Sequence, residues 1–358
     1  MKPFFSIVMP AYKAEKYIAD TLASIGKQTF SDWECIVVED GSPDRTKEIV
    51  REAATKDSRI RLIEQPKNCG VSEARNRGIR EATGEYLWFA DADDTVDEDL
   101  LEKVYQSLQK NRAKLVLFGI VVEYYDRQGN FSYNEIRVPE EMYLTDPEQI
   151  HQQLIYMERE TLYGYPWNKV YDLQYLKQLG ITFDDYRNAK FIEDICFNIE
   201  FCMEIDSMNL LDFAPYHYAK RVNGSLTNQF VPDYYHFLRK RIQKLYEQCT
   251  YWEADTEENR QILGSLYGRY ILSAMERNCD PRSGMSHRDR KDWCRKLFVD
   301  PLFLDLVMDA KASDSRMLKI ALRILRTKSR FLCLSFARAI HIARNQFPIF
   351  YSKVKAGR

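Results

Sequence analysis

The first ninety residues alternate short apolar runs with amphipathic segments, and this rhythm narrows the possible folds more than any other feature of the chain. Phe5-Ser6-Ile7-Val8-Met9-Pro10-Ala11-Tyr12 reads as a buried strand, followed by a helix with Ile18, Leu22 and Ile25 on one face. A second strand, Glu34-Cys35-Ile36-Val37-Val38, runs into Glu39-Asp40-Gly41-Ser42. A helix over 47–54 leads to the strand Ile60-Arg61-Leu62-Ile63, and Gly70 opens a helix with Val71, Ala74, Gly78 and Ala82 inward. The strand Glu85-Tyr86-Leu87-Trp88-Phe89-Ala90 completes the series. Strands alternating with helices at this spacing predict an α/β domain built on a parallel sheet with helices on both faces.

Ligands of such sheets bind beyond the carboxyl ends of the strands. Tyr12, Asp40 and the tetrad Asp91-Ala92-Asp93-Asp94 each fall just past a strand end, and Arg75 lies between two strands. Three carboxylates at the exit of an apolar strand repel one another and are costly to desolvate unless a cation neutralises them. Oxygen ligands of this kind suit Mg²⁺ or Mn²⁺. The alternative is a solvated acidic turn ahead of a helix whose first-turn acids, Asp97, Glu98 and Asp99, complement its dipole.

Four ordered stretches resemble the inverting family 2 glycosyltransferases of the GT-A fold, especially bacterial enzymes that build capsular, exopolysaccharide or lipopolysaccharide sugars. They are Ser6 to Tyr12, Val38 to Ser42, Gly70 to Gly78 and Phe89 to Asp94. Two departures are mild: Glu39 stands where the family usually has Asp, and Ala90 where it has Leu or Ile. The resemblance implies a doubly wound, Rossmann-like mixed sheet with a C-terminal helical extension. It implies roles as well. Pro10, Ala11 and Tyr12 would line the base, with Tyr12 stacking on it. Glu39 and Asp40 would complete the nucleotide pocket, Asp40 accepting from a ring N–H. Arg75 would meet the diphosphate. Asp93 and Asp94 would reach the metal, while Asp91 and Ala92 shape the loop.

Further on, a strand over 115–122 precedes a segment rich in Tyr and charge with turn signals at Gln128-Gly129-Asn130 and Asp146-Pro147, expected to shape an acceptor site. Tyr165-Pro166-Trp167-Asn168-Lys169-Val170-Tyr171 resembles a segment of polysaccharide-building members, and Trp167 equally reads as a core anchor. An apolar-faced helix over 191–199 carries Glu193 and Asp194 in its first turn, where acids also serve the helix dipole. The resemblance makes this the family's Glu-Asp pair, with Asp194 as catalytic base. Lys220 to Thr227 resembles the stretch that closes over the diphosphate, with Arg221 as phosphate contact and His217 a weaker candidate.

The chain has 358 residues, enough for about two domains. The expected division is a catalytic domain at 1–230 and a helical region at 231–358, basic and amphipathic from about 311. Net charge is -1, yet residues 311–358 hold twelve Lys or Arg against the single acid Asp314. Such basic, apolar-faced stretches suit the surface of an anionic bilayer, so contact with the inner membrane face is expected; the alternative is a helical subdomain packed on the catalytic core with a solvated basic rim. No nucleic-acid recognition motif accompanies the charge. The eight cysteines lack zinc-type spacing and read as reduced thiols. A first strand so near the start leaves no room for a signal peptide, and no apolar run approaches a membrane span, so a cytoplasmic location is expected.

The expected activity is metal-dependent, inverting hexosyl or N-acetylhexosaminyl transfer. The donor would be a nucleotide-diphosphate sugar, expected to be UDP-linked, and the acceptor a lipid-linked surface glycan. The alternatives are a nucleotidyltransferase, which normally carries a Gly-rich basic loop absent from Pro10-Ala11-Tyr12-Lys13-Ala14, and a non-catalytic sugar-nucleotide-binding protein.

Overall fold

The computed structural model describes residues 2–126, 128–185, 189–221, 230–231, 233–312 and 316–346. The chain divides into two compact units, 1–229 and 230–358.

The first unit opens as β1 (Phe5–Ala11), α1 (Ile18–Gly26), β2 (Trp33–Glu39), α2 (Thr46–Lys56), β3 (Ile60–Glu64), α3 (Val71–Glu81) and β4 (Tyr86–Phe89). Strand β1 pairs in parallel with both β2 and β4, and β2 pairs in parallel with β3. Ile7, Val8, Met9, Ile36, Val37 and Val38 are wholly buried, each contributing about 1.5–3 kcal/mol of apolar burial. Because these strands run the same way, Ala11, Glu39 and Ala90 reach one edge. Ala11 lies opposite Glu39, and the Ala90 amide donates to the Val8 carbonyl.

The sheet then becomes mixed. It continues through β5 (Thr95–Val96), α4 (Leu100–Lys110), β6 (Leu115–Tyr125), β7 (Phe131–Arg137), β8 (Met142–Leu144), α5 (Pro147–Arg159), β9 (Lys169–Asp172), α6 (Leu173–Leu179), α7 (Glu193–Cys202) and β10 (Met208–Lys220). Its order is β3-β2-β1-β4-β9-β6-β10-β5, with β7 on β6 and β8 on β10. Strand β9 enters antiparallel between β4 and β6, so the parallel run stops at β4. The strand expected over 115–122 runs on to Tyr125 and returns as the β7 hairpin. The helix expected from Phe191 begins at Glu193, after a 3-10 turn over Lys190–Ile192.

The pairing of β5 with β10 fixes the acidic loop. Residues 90–94 leave β4 in the middle of the sheet and must reach β5, whose Val96 lies opposite Tyr216. The Thr21 hydroxyl holds the Ala92 carbonyl from α1 at 3.1 Å. The loop is thus tied down at both ends and in its middle.

The second unit is helical: α8 (Tyr234–Tyr251), α9 (Glu257–Arg277), α10 (His287–Leu297), α11 (Pro301–Leu306), α12 (Arg316–Arg326) and α13 (Arg330–Gln346). Its core surrounds α9, where Leu272 meets Ala321 and Ile340. Among the described residues no helix is long and apolar enough to cross a membrane. Residues 222–229, including Asn223 to Thr227 of the expected closing stretch, and residues 347–358 of the basic end lie outside the described residues.

Helix α3 lies close on the sheet because position 78 has no side chain. A Cβ there would overlap Val8 Cγ1, and Val8 is a β-branched residue in a buried strand with little freedom to move. Gly78→Ala is expected to cost about 1–3 kcal/mol in denaturant unfolding, part of it recovered by adding Val8→Ala. An unchanged midpoint in Gly78→Ala would show that α3 is not seated on this glycine.

Candidate functional site

Asp40 begins the site. Its carboxylate is buried at the end of β2 and accepts from Gln65 Nε2 at 2.8 Å, the Cys69 amide at 2.7 Å and the Gly70 amide at 2.8 Å. Gly70 sits at φ +96°, a conformation that favours glycine, and α3 starts at the next residue. Burial raises the Asp40 pKa, and the two backbone amides counter that rise. The acid expected to read a base therefore has both oxygens engaged in building the loop that opens α3. Glu39 is likewise turned inward, accepting from the Ser42 amide.

Arg75 is the hub. It is 3 % exposed; Nη1 donates to Asp194 Oδ1 at 2.6 Å and Nη2 to Asp91 Oδ1 at 3.1 Å. One guanidinium thus joins α3, the acidic loop and the first turn of α7. Burial opposes its charge, but Asp194 and Asp91 more than offset that and raise its pKa. Its guanidinium lies 5.2 Å from the Phe183 ring centroid, and Phe183 stacks on Phe197 of α7 at 4.0 Å. Asn76 fixes Phe183 through hydrogen bonds of 2.9 and 2.8 Å to its backbone. Arg75, expected to meet a diphosphate, has both terminal nitrogens on carboxylates in this structure.

The tetrad splits by direction. Asp94 points inward, accepting from the Tyr216 hydroxyl at 2.9 Å and the Ala219 amide at 2.9 Å, and burial with two acidic neighbours raises its pKa well above the carboxylate range. Asp94, expected to reach the metal, accepts one protein donor on each oxygen in this structure. Asp93 points outward with its side chain 51 % exposed and meets Arg221 Nη1 at 3.2 Å. Arg221 also holds the Asp93 carbonyl at 3.0 Å and lies 3.9 Å from the Tyr17 ring centroid. Asp91 is partly exposed. The outward donors are hard oxygens, Asp93 with Asp91 behind it, and so fit Mg²⁺ or Mn²⁺ bound largely by non-protein oxygens. Among the described residues no group of three or more His, Cys, Asp or Glu is arranged to hold a metal ion by itself.

Tyr216 is a residue that sequence reasoning missed. Its hydroxyl donates to Asp94 and accepts from the Asp91 amide at 3.1 Å, so one phenol ties two members of the tetrad. Trp167 stacks on its ring at 4.5 Å and on Tyr165 at 4.6 Å, which makes Trp167 the wall behind the acidic loop. Buried Lys169 pins the Trp167 loop by donating to the Leu162 and Tyr165 carbonyls and to Asn168 Oδ1, and burial lowers its pKa to about 7. A Tyr two residues before another Tyr in an apolar strand carries no signal of this role.

The remaining candidates stand apart from the hub. Tyr12 is exposed past β1, after Pro10 and buried Ala11, with Lys13 Nζ 5.2 Å from its ring centroid. His217 lies between Glu123 of β6 at 3.0 Å and Asp97, just past β5, at 3.1 Å. Arg77 and Arg80 are exposed and pair with Glu81 and Glu73.

Glu193 differs from its neighbour. Asp194 keeps 23 % side-chain exposure, whereas Glu193 is buried and its Oε2 has no hydrogen-bond partner among the described residues. Burial, aided by the Asp194 charge, pushes its carboxyl up to about 9. The native state therefore keeps this proton between about pH 4.5 and 9 while the unfolded chain releases it, so its cost to stability grows as pH rises through that window. Glu193→Gln is expected to melt a few degrees above wild type at pH 9 and to match it near pH 5. Parallel stability profiles against pH would contradict this.

Comparison with known proteins follows the same lines. The family model "Glycosyl transferase family 2" matches residues 6–179. The uncharacterized glycosyltransferase EpsJ of Bacillus subtilis is 32 % identical over 243 residues, which cover 68 % of this chain and 69 % of EpsJ. The glycosyltransferase GlyG of Streptococcus pneumoniae is 37 % identical over 133 residues, covering 37 % of this chain and 44 % of GlyG. The crystal structure of S. aureus TarS 1–349 in complex with UDP-GlcNAc matches with a TM-score of 0.64 at 21 % identity, over 96 % of this chain and 92 % of that one, a likeness of fold. With its GT-A fold and these relatives, the chain belongs to glycosyl transferase family 2.

Proposed function

We propose that this glycosyltransferase moves a sugar from a UDP-linked donor to a hydroxyl of a growing, lipid-linked surface glycan, with inversion at the anomeric carbon. The observation that carries the reading is Asp194, a partly exposed carboxylate held by buried Arg75 beside the acidic loop. The guanidinium bond keeps the carboxylate oriented without burying it, which suits a general base. The TarS structure with UDP-GlcNAc supports a UDP-sugar donor of N-acetylhexosamine type.

In this reading the acceptor oxygen attacks the anomeric carbon from the face opposite the nucleotide and passes its proton to Asp194. The carbon–oxygen bond to the diphosphate breaks as the new glycosidic bond forms, and the nucleoside diphosphate leaves with the electron pair. Glu193, neutral and buried, spares Asp194 a second negative neighbour. Arg221, beside Asp93, is placed to meet a departing phosphate. Mg²⁺ or Mn²⁺ held by Asp93, with Asp91 behind it, would supply Lewis-acid stabilisation of that charge. Tyr12 stacks on the base at the exposed end of β1; Pro10, Ala11, Glu39 and Asp40 shape the floor beneath it, and Ala92 sets the loop. Residues 1–229 form the catalytic domain. The basic stretch of residues 311–358, which includes α12 and α13, meets the anionic inner face of the membrane, where a lipid-linked acceptor is held, so the protein works from the cytoplasmic side.

Asp194→Asn is expected to lower turnover about a thousandfold while leaving donor binding, read by calorimetry, within a few-fold of wild type. Full turnover in that variant would remove Asp194 from the role.

A further inference from the structure

In the second unit the sequence 316–346 contains eight Lys or Arg and no Asp or Glu. The contacts of α12 and α13 divide these residues by face. Leu318, Ala321, Leu322 and Leu325 of α12 are buried, as are Cys333, Ala337 and Ile340 of α13. A Cβ at Gly268 of α9 would overlap Leu322, so α12 lies close on that helix. Glu276 of α9 accepts from Arg344 at 2.7 Å and meets His341 at 2.9 Å, which anchors α13. Arg326 is drawn inward to the Ala310 carbonyl.

With the inward faces fixed, the outward ones follow. Arg316, Lys319, Ile320 and Arg323 fall at helical spacing along α12 and are all exposed. Phe331, Arg338 and Ile342 do the same along α13. Between the helices Thr327 and Lys328 close a tight turn, Lys328 at φ +50°, and the Ser329 hydroxyl accepts from the Leu332 amide at 3.4 Å. The turn presents exposed Lys328 and Arg330 beside Phe331 and Leu332. Phe331 is 77 % exposed and Leu332 43 %. A largely exposed phenylalanine next to Lys328 and Arg330 has no use inside the unit, since the core is already closed beneath it by Cys333 and Ala337.

We propose that this turn, with the outward faces of α12 and α13, docks on an anionic lipid bilayer. Phe331 and Leu332 enter the headgroup boundary, and Lys328, Arg330 and the basic stripe of α12 meet lipid phosphates. The pairing of an apolar tip with a basic stretch that carries no acid of its own matches the two attractions such a surface offers. A nucleic acid would use the charge and leave the tip idle. The inference deepens the membrane contact of the proposed function and rests on the transfer reading only for the supply of a lipid-linked acceptor.

The test is flotation of the full chain with phosphatidylcholine vesicles, with and without about a third phosphatidylglycerol, in the absence of donor and acceptor. Binding is expected to the anionic vesicles, to weaken at high salt, and to fall about tenfold both in Phe331→Ser and in the pair Lys328→Gln, Arg330→Gln. All these positions are exposed, so melting temperatures should stay at the wild-type value. No binding, equal binding to neutral vesicles, or binding of a polyanion such as RNA with indifference to Phe331→Ser would each overturn the proposal. Transfer to a soluble acceptor, assayed in parallel, separates the outcomes: a lost membrane contact with intact transfer sinks only this surface, and failed transfer with intact flotation sinks only the catalytic reading.

Discussion

A buried guanidinium bound to two carboxylates holds the first unit's working edge together. Arg75 reaches Asp91 in the loop after β4 and Asp194 at the start of α7, elements that no strand pairing joins directly. Taking these charges out of water is expensive, and the arrangement survives because each partner meets opposite charge at hydrogen-bond distance. Removing Arg75 leaves two partly exposed carboxylates without their cation, a loss smaller than the about 3–5 kcal/mol of a fully buried pair. The cost explains the supports around Arg75: Asn76 fixing Phe183, Phe183 stacked on Phe197, and Asp40 fixing the turn that starts its helix.

The acidic loop is held by a second, separate device. Tyr216 and Ala219 fill Asp94, Tyr216 also caps the Asp91 amide, and Trp167 backs the tyrosine. The tetrad is therefore divided into an acid that holds the loop, Asp94, one that joins the hub, Asp91, and one that faces outward, Asp93. A cluster of like charges becomes tolerable because each member has its own donor.

Much of this was legible in the sequence, and the limits have a physical cause. The alternation through β4 is local periodicity, so those elements could be read directly, as could the placement of Tyr12, Asp40 and the tetrad past strand ends. Strand β9 carries four residues, with α6 starting at the next one, and has no such signal; its antiparallel entry depends on pairing with β4 and β6. A motif names Arg75 but not its protein partner, and Asp194 is 119 positions away. The inward turn of Asp94 depends on Tyr216, 122 positions on, which reaches it only through the β5–β10 pairing. Contacts made by topology rather than by spacing stayed out of sight.

If Arg75 and Asp194 form one electrostatic unit, their contributions to stability cannot be independent. A double-mutant cycle on unfolding free energy with Arg75→Met and Asp194→Asn should give a coupling of roughly 2–3 kcal/mol, the double variant losing much less than the two single losses combined. Additivity within about 0.5 kcal/mol would mean that the two side chains do not act together, and the account of the site built on them would fail.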